Sequence, residues 1–299
     1  MKVLHYEHMG VGVILSQALR KLGQDSHVLS SAPHPFGFKE DFLFSRNRYV
    51  RKFLKRLVWR KYYDFDILHS HDNKPLPPYV LRHWRGALVQ HYHDPNTQAR
   101  LYTDIPSFIS LPNKIKSIPE ATWVPIPVDT TIFKPIEAEV HDKVCIGYCD
   151  QMVDSWKARF IPKHEVEAAA KRLGNKAYTL PLTGIIPHDS MPDFYRKIDV
   201  WVDRIGLDFY GFSAVEVASM GIPVVTQIGQ EERNWVPECP FITTDLKGAT
   251  GEIISLAEDE HLRISLGRKA REYALKVHDS TRVAQICLEQ YRKLKKWKD

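Results

Sequence analysis

Short apolar runs of strand length alternate with amphipathic helical stretches along almost the whole chain, and that alternation leaves few folds open. Strands are expected at Lys2 to Tyr6, His27 to Ser30, Ile67 to Ser70, Ala87 to His91, Phe108 to Leu111 and Thr122 to Ile126. A second set follows at Val144 to Cys149, Tyr178 to Leu182, Val200 to Asp203, Ile222 to Thr226 and Phe241 to Thr243. Strands separated by helices cannot close as hairpins, so they pair in parallel with helices over both faces. The expected class is α/β. Between the two sets, residues 124–135 (VPIPVDTTIFKP) hold Pro125, Pro127 and Pro135 without helical periodicity, which marks an interdomain connector. The expected domains are therefore 1–128 and 129–278, and the tail from about Asp279 to Lys298 reads as one long helix.

With 299 residues, 43% of them apolar, the chain can build two domains of ordinary size. It contains no apolar run long enough to span a bilayer. Its first residues, MKVLHYEH, turn polar too early for a secretory signal, and a cytoplasmic protein is expected. Cys145, Cys149, Cys239 and Cys287 are too scattered for a disulfide framework and read as core thiols. The net charge of +6 is concentrated in residues 46–61, where Arg46, Arg48, Arg51, Lys52, Lys55, Arg56, Arg60 and Lys61 interleave with apolar residues at helical spacing. Such a helix suits an anionic membrane surface. It equally suits the outer layer of an α/β domain, its apolar side on the sheet and its charges in solvent.

The segment DFYGFSAVEVASMGIPVV, Asp208 to Val225, places two carboxylates, Asp208 and Glu216, on either side of Gly211. Ionised carboxylates are strong acceptors suited to sugar and ribose hydroxyls. Ser213-x-x-Glu216 also fits a capping box, in which Glu216 would only bond back to the backbone of Ser213. The wider pattern resembles the signature of retaining GT-B glycosyltransferases of family four. Asp208, Phe209, Gly211, Glu216, Val217, Ala218, Gly221, Pro223 and Val224 fall on it, with Asp208 in place of the usual Glu and Tyr210 as an extra aromatic. The connector resembles the family's crossover at Val124, Pro125, Val128, Asp129, Phe133 and Pro135.

That resemblance implies a GT-B architecture: two Rossmann-like domains with parallel sheets facing a central cleft, the last helix packing back on the first domain. It implies that Glu216 holds the ribose, Asp208 the sugar hydroxyls, and His93 the sugar being transferred. Gly211, Phe212 and Ser213 would line the donor, and His188 and Met191 would lie near the base. Lys157 and Arg159 would neutralise the diphosphate, although the arginine usual after Gly147 is replaced by Tyr148. The turn with Gly10 and Gly12 resembles the loop that faces donor phosphates or acceptor. The pairs His69/His71 and His91/His93 end two expected strands. They admit a zinc reading with His69, His71, His93 and Asp94 as ligands, but match the family's cleft histidine better. Asp64-x-Asp66 precedes a strand and is discounted as a metal motif.

The expected function is transfer of a sugar from a nucleotide-diphosphate sugar to a glycan, lipid-linked or small acceptor, with retention and without metal or cofactor. Nucleic acid is not an expected partner. The alternatives are a nucleotide-sugar epimerase or hydrolase on the same fold, and a noncatalytic sugar-nucleotide-binding module.

Overall fold

The computed structural model describes residues 1–7, 10–30, 33–43, 57–72, 75–93, 102–136, 142–151 and 156–295, without the side chains of Lys114, Trp156 and Lys157. The chain divides into two compact units: Met1–Pro127 with Ser280–Asp299, and Val128–Asp279.

Unit 1 is built on a seven-stranded sheet. Its strands are β1 (Lys2–Glu7), β2 (Asp25–Ser30), β3 (Phe42–Leu43), β4 (Ile67–His71), β5 (Ala87–Tyr92), β6 (Ser107–Ile109) and β7 (Thr122–Trp123), in the order β3-β2-β1-β4-β5-β6-β7. Every pairing is parallel. Its helices are α1 (Val11–Lys21), α2 (described over 57–62), α3 (Pro78–His83) and α10 (Ser280–Tyr291). One face of the sheet is ordinary core: Leu4, Tyr6, Leu68 and Leu88 pack under Trp59 and Tyr62 of α2 and Val80 of α3. Each such aliphatic side chain contributes about 1.5–3 kcal/mol on burial. The other face carries alternate residues of β1, β4 and β5, which include His5, His69, His71 and His91. Tyr291 of α10 reaches this face, and α10 packs on α1.

Unit 2 has a five-stranded sheet of β8 (Val144–Cys149), β9 (Ala177–Leu182), β10 (Val200–Val202), β11 (Val224–Thr226) and β12 (Ile242–Thr243), ordered β12-β11-β10-β8-β9 and again parallel. Its helices are α4 (Lys163–Leu173), α5 (Met191–Tyr195), α6 (Phe212–Ser219), α7 (Gln230–Arg233), α8 (Leu246–Glu258) and α9 (Glu260–Tyr273). α4 and α8 cover one face through Val166, Ala169, Ala249, Ile253 and Leu256. Both orders reverse direction at one point, between β1 and β4 in unit 1 and between β8 and β10 in unit 2. Open α/β sheets bind ligands beyond the strand C-termini at such switch points.

Two expectations need correction. β3 is too short to leave a periodic trace and was not foreseen. The tail is not one long helix: α10 runs only from Ser280 to Tyr291, its last buried side chain, and residues 292–293 turn away. The basic stretch lies outside the described residues from 46 to 56. Residues 57–62 pack on the sheet, Trp59 fully buried and Tyr62 nearly so, as the α/β reading expects.

Close packing in unit 2 rests on Gly267 of α9, where a Cβ would overlap the carbonyl oxygen of Gly221. Gly221 itself ends α6 at φ 83°, a left-handed conformation suited to glycine. Gly251, in α8, faces open space. We expect Gly267→Ala to lower the unfolding free energy by about 1–3 kcal/mol. Gly251→Ala should raise it by up to about 1 kcal/mol. Urea melts of both variants read the contrast, and equal effects would contradict this packing.

Candidate functional site

At the unit-1 switch point, β1 ends at Glu7 and the chain turns through Gly10 into α1. Gly10 has φ 88°, and a Cβ there would meet the ring of Phe38. The exposed amides of such a turn invite an anion. Here the protein supplies its own: Glu7 Oε2 accepts from Gly12 N at 2.7 Å and Oε1 from Val13 N at 3.1 Å. Burial raises the Glu7 carboxyl to about 7, against the opposing pull of these amides. Gly10 and Gly12, expected in a phosphate or acceptor loop, thus stand in a turn where the amides of Gly12 and Val13 are held by a buried internal carboxyl group.

Beside it runs a chain of imidazoles. His5 Nδ1 meets His71 Nε2 at 3.0 Å, and His71 Nδ1 meets His93 Nε2 at 2.9 Å. His93 Nδ1 meets Ser110 Oγ at 2.9 Å, which in turn meets His91 Nε2 at 3.0 Å. His91 Nδ1 meets His69 Nε2 at 3.1 Å, and His69 Nδ1 meets the Tyr291 hydroxyl at 2.6 Å. The strand register creates this directly, pairing His5 with His69 and His71 with His91. Burial holds His5 and His93 down at about 3, and keeps His69 and His91 well below the ordinary imidazole range. These rings are neutral at pH 7. Each then carries one proton, so every link has one donor and one acceptor and the tautomers are coupled along the chain.

The zinc reading brought His69, His71 and His93 into one set; Asp94 lies outside the described residues. The triads His5/His69/His71 and His71/His91/His93 do gather nitrogens within 4.8 Å. Their directions do not suit chelation. Ring centroids are 5.3 Å apart for His5/His71 in the first triad and 5.2 Å for His71/His93 in the second, with the rings inclined at 33° and 14°. With nitrogens near 3 Å, each pair meets edge to edge, the N–H of one ring facing the lone pair of the other, as in an N–H···N bond. Zinc ligands at about 2.0–2.1 Å must instead converge on one tetrahedral centre.

In unit 2 the expected donor residues come together in part. α6 begins at Gly211, whose N–H donates to Asp203 Oδ2 at 2.8 Å; Ser213 Oγ donates to Oδ1 at 3.3 Å. Asp203 is buried at the end of β10. Glu216 accepts from the Tyr195 hydroxyl at 2.8 Å and faces His188 Nε2 at 3.1 Å. The capping-box reading is thus not what forms: Gly211 is the N-cap, Ser213 bonds Asp203, and Glu216 reaches across to α5. Tyr195 is raised well above its ordinary value by burial and the Glu216 charge, so it stays a donor. Met191 is buried at the start of α5, and Phe212 is half-buried.

Asp208 is exposed with φ 58°. Short polar Asp is favoured in this left-handed region, which gives a backbone reason for Asp here. Its carbonyl accepts from Gly229 N at 2.9 Å. The extra aromatic, Tyr210, is fully buried, its hydroxyl 2.7 Å from that of Tyr273 and 2.9 Å from His278 Nε2. Arg159 is exposed over the Phe160 ring, and the Lys157 side chain lies outside the described residues. The Asp64-x-Asp66 pair is structural: Asp64 pairs with Arg85 and Asp66 accepts from Lys2 N. Cys145, Cys149, Cys239 and Cys287 are free thiols.

Sequence reasoning missed Glu7, His5, Ser110, Tyr291, Tyr195 and Asp203. Glu7 and His5 share a strand face with the expected pairs by period two, and Asp203 stands at a strand end before the glycine turn. Those two signals were readable. The reach of Tyr291 and Tyr195 was not, because it depends on tertiary packing.

No protein-family model matches the sequence, and no curated protein matches it. Solved structures do. HepE from Anabaena, solved in complex with UDP and glucose, aligns with a TM-score of 0.72 at 13% identity over 98% of this chain and 100% of that one. A glycosyltransferase from Rickettsia africae gives 0.65 at 15% identity over 98% of each chain. A UDP-N-acetylglucosamine 2-epimerase from Listeria monocytogenes, described as putative, gives 0.58 at 12% identity over 98% of this chain and 97% of that one. At these identities the likeness defines the fold, and the fold is GT-B: two Rossmann-like α/β units with parallel sheets.

The histidine chain predicts an acid-sensitive unit 1. An imidazole whose folded value lies below its unfolded 6.5 binds fewer protons when native. Its stabilisation is complete above pH 6.5 and is lost as pH falls toward 3. Glu7 works the other way, its contribution complete below 4.5 and lost as pH rises through about 7. The histidines outnumber it. We expect the unfolding free energy to fall between pH 7 and 5 by about 2 kcal/mol or more. Denaturant melts across that range would show it, and a flat profile would rule out a neutral buried chain.

Proposed function

We propose that the chain is a glycosyltransferase that moves a sugar from a nucleotide-diphosphate sugar to a hydroxyl-bearing acceptor, with retention of configuration and without a metal. The observation that carries this is Glu216, a nearly buried carboxylate held by Tyr195 and His188 beside the Asp203–Gly211 turn. A carboxylate oriented by a tyrosine and a histidine is preorganised to accept from ribose hydroxyls. The fold is shared with HepE, solved with UDP and glucose, which supports a nucleotide-sugar donor.

In this reading Glu216 binds the ribose and Asp208 the sugar hydroxyls. Gly211, Phe212 and Ser213 line the donor, and His188 and Met191 approach the base. Lys157 and Arg159 assist departure of the diphosphate by stabilising its developing charge. His93 is assigned to the sugar. Its ring nitrogens are engaged by His71 and Ser110, so it meets a hydroxyl by giving up the Ser110 bond or through its carbonyl. A glycan or lipid-linked acceptor, and docking of residues 46–61 on the anionic inner face of the membrane, belong to the same proposal. Flotation with anionic vesicles at low salt tests the docking.

The likeness to the Listeria protein supports a second reading, an epimerase on the same fold. Incubating nucleotide sugar without acceptor separates the two, since an epimerase forms the epimer and a transferase does not.

Glu216→Ala should weaken donor binding or turnover by about 10²-fold, the scale of a lost charge-assisted contact. Isothermal titration with a panel of nucleotide sugars, followed by transfer assays, reads this. Near-native transfer by the variant would remove Glu216 from the site, and binding by the native protein without turnover on any acceptor would favour a noncatalytic module.

A further inference from the structure

The unit-2 switch point holds a cation outside every motif considered above. Arg204 follows Asp203 at the C-terminal end of β10. Its guanidinium lies against Cys149, the last residue of β8, with Nη2 3.9 Å from Sγ, a long contact to a weak acceptor. Its Nε is buried and, among the described residues, makes no hydrogen bond. Among the described residues Arg204 has no carboxylate partner, and the acids next to it and to Cys149 in the chain are committed elsewhere. Asp203 takes Gly211 N and Ser213 Oγ, and Asp150 pairs with Lys163 at 3.0 Å.

The backbone around this cation is fixed on two sides. The Arg204 carbonyl accepts from Thr226 Oγ1 at the end of β11, and Ile205 N donates to the Phe160 carbonyl at 3.0 Å. The charged end is therefore held between the ends of β8 and β10, where the strand order reverses. A buried guanidinium N–H without an acceptor is costly, and native proteins keep such groups where something else supplies the acceptor. The planar fork of an arginine matches two oxygens of a phosphate. Neutral sugar or base would leave the charge uncompensated.

We propose that Arg204 is the principal ligand for the diphosphate of the donor, the role left open by the replacement of the usual arginine after Gly147 with Tyr148. This rests on the donor reading above. It makes Arg159, exposed over Phe160, secondary.

The test is isothermal titration of the native protein, Arg204→Gln and Arg204→Lys with UDP, ADP, GDP and inorganic pyrophosphate, with circular-dichroism melts to confirm folding. For whichever diphosphates the native protein binds, Arg204→Gln should lose about 10-fold or more in affinity. Arg204→Lys, which keeps the charge but not the fork, should fall between the two. If Arg204→Gln does not fold, Arg204→Lys carries the test, and undiminished affinity in it overturns the proposal. Native-like affinity in a folded Arg204→Gln overturns the role of Arg204 and leaves the donor reading standing. Binding of pyrophosphate but of no nucleoside diphosphate, lost in Arg204→Gln, keeps the Arg204 site and overturns the donor reading. No binding of any probe by the native protein overturns both.

Discussion

Both units depend on one device: a buried carboxylate at the end of a parallel strand that ties down the turn into the next helix. Glu7 does this after β1 by accepting from the amides of Gly12 and Val13. Asp203 does it after β10 by accepting from Gly211 N and Ser213 Oγ. The first turn of a helix leaves amides without intrahelical partners, and buried amides must find acceptors. A carboxylate answers that need and also meets the positive end of the helix dipole. The consequence is chemical. In unit 1 these amides are no longer open to a ligand phosphate, and a cation such as Arg204 in unit 2 becomes the more effective anion receptor.

The histidine chain follows from the same requirement that buried polar atoms satisfy one another. Five imidazoles on one sheet face would be costly singly, yet linked through Ser110 to Tyr291 nearly every nitrogen has a partner. Among the described residues the exception is His5 Nε2, which is buried and has no hydrogen-bond partner. An orphaned lone pair is tolerated better than an orphaned N–H, so the proton of His5 sits on Nδ1 and donates to His71. That choice propagates: His71 donates from Nδ1 to His93, and His93 from Nδ1 to Ser110. The tautomer of His93, just past the C-terminal end of β5, is thereby set from His5 at the other end of this hydrogen-bonded run.

Much of this architecture was legible in the sequence, because burial on both faces gives parallel strands continuous apolar runs while helices show a longer period. The runs around β8, β10 and β11 were of that kind. β3, with two residues, has no period to detect. Within the site, Glu216 and His188 were readable as a motif, but Ser213-x-x-Glu216 was ambiguous between a cap and a binding group. The cap is excluded by the bonds of Ser213 to Asp203 and of Glu216 to Tyr195, and tertiary packing sets both. Arg204 was invisible for a different reason. One arginine after a strand carries no signal until the acids around it are seen to be engaged with other partners.

Tyr210 shows how an apparent irregularity in a motif can be structural. An added aromatic beside an exposed left-handed Asp208 would be expected to loosen the loop. Instead Tyr210 turns inward, packs on Phe241, and bonds Tyr273 and His278. His278 in turn offers its carbonyl to Val128 N, and the neighbouring Asp279 accepts from the Thr130 hydroxyl. The loop that presents Asp208 is therefore fastened to both segments at which the chain enters and leaves unit 2. The left-handed turn at Asp208 is thus anchored, two residues on, by the buried hydrogen-bonded Tyr210 and not by the exposed loop itself.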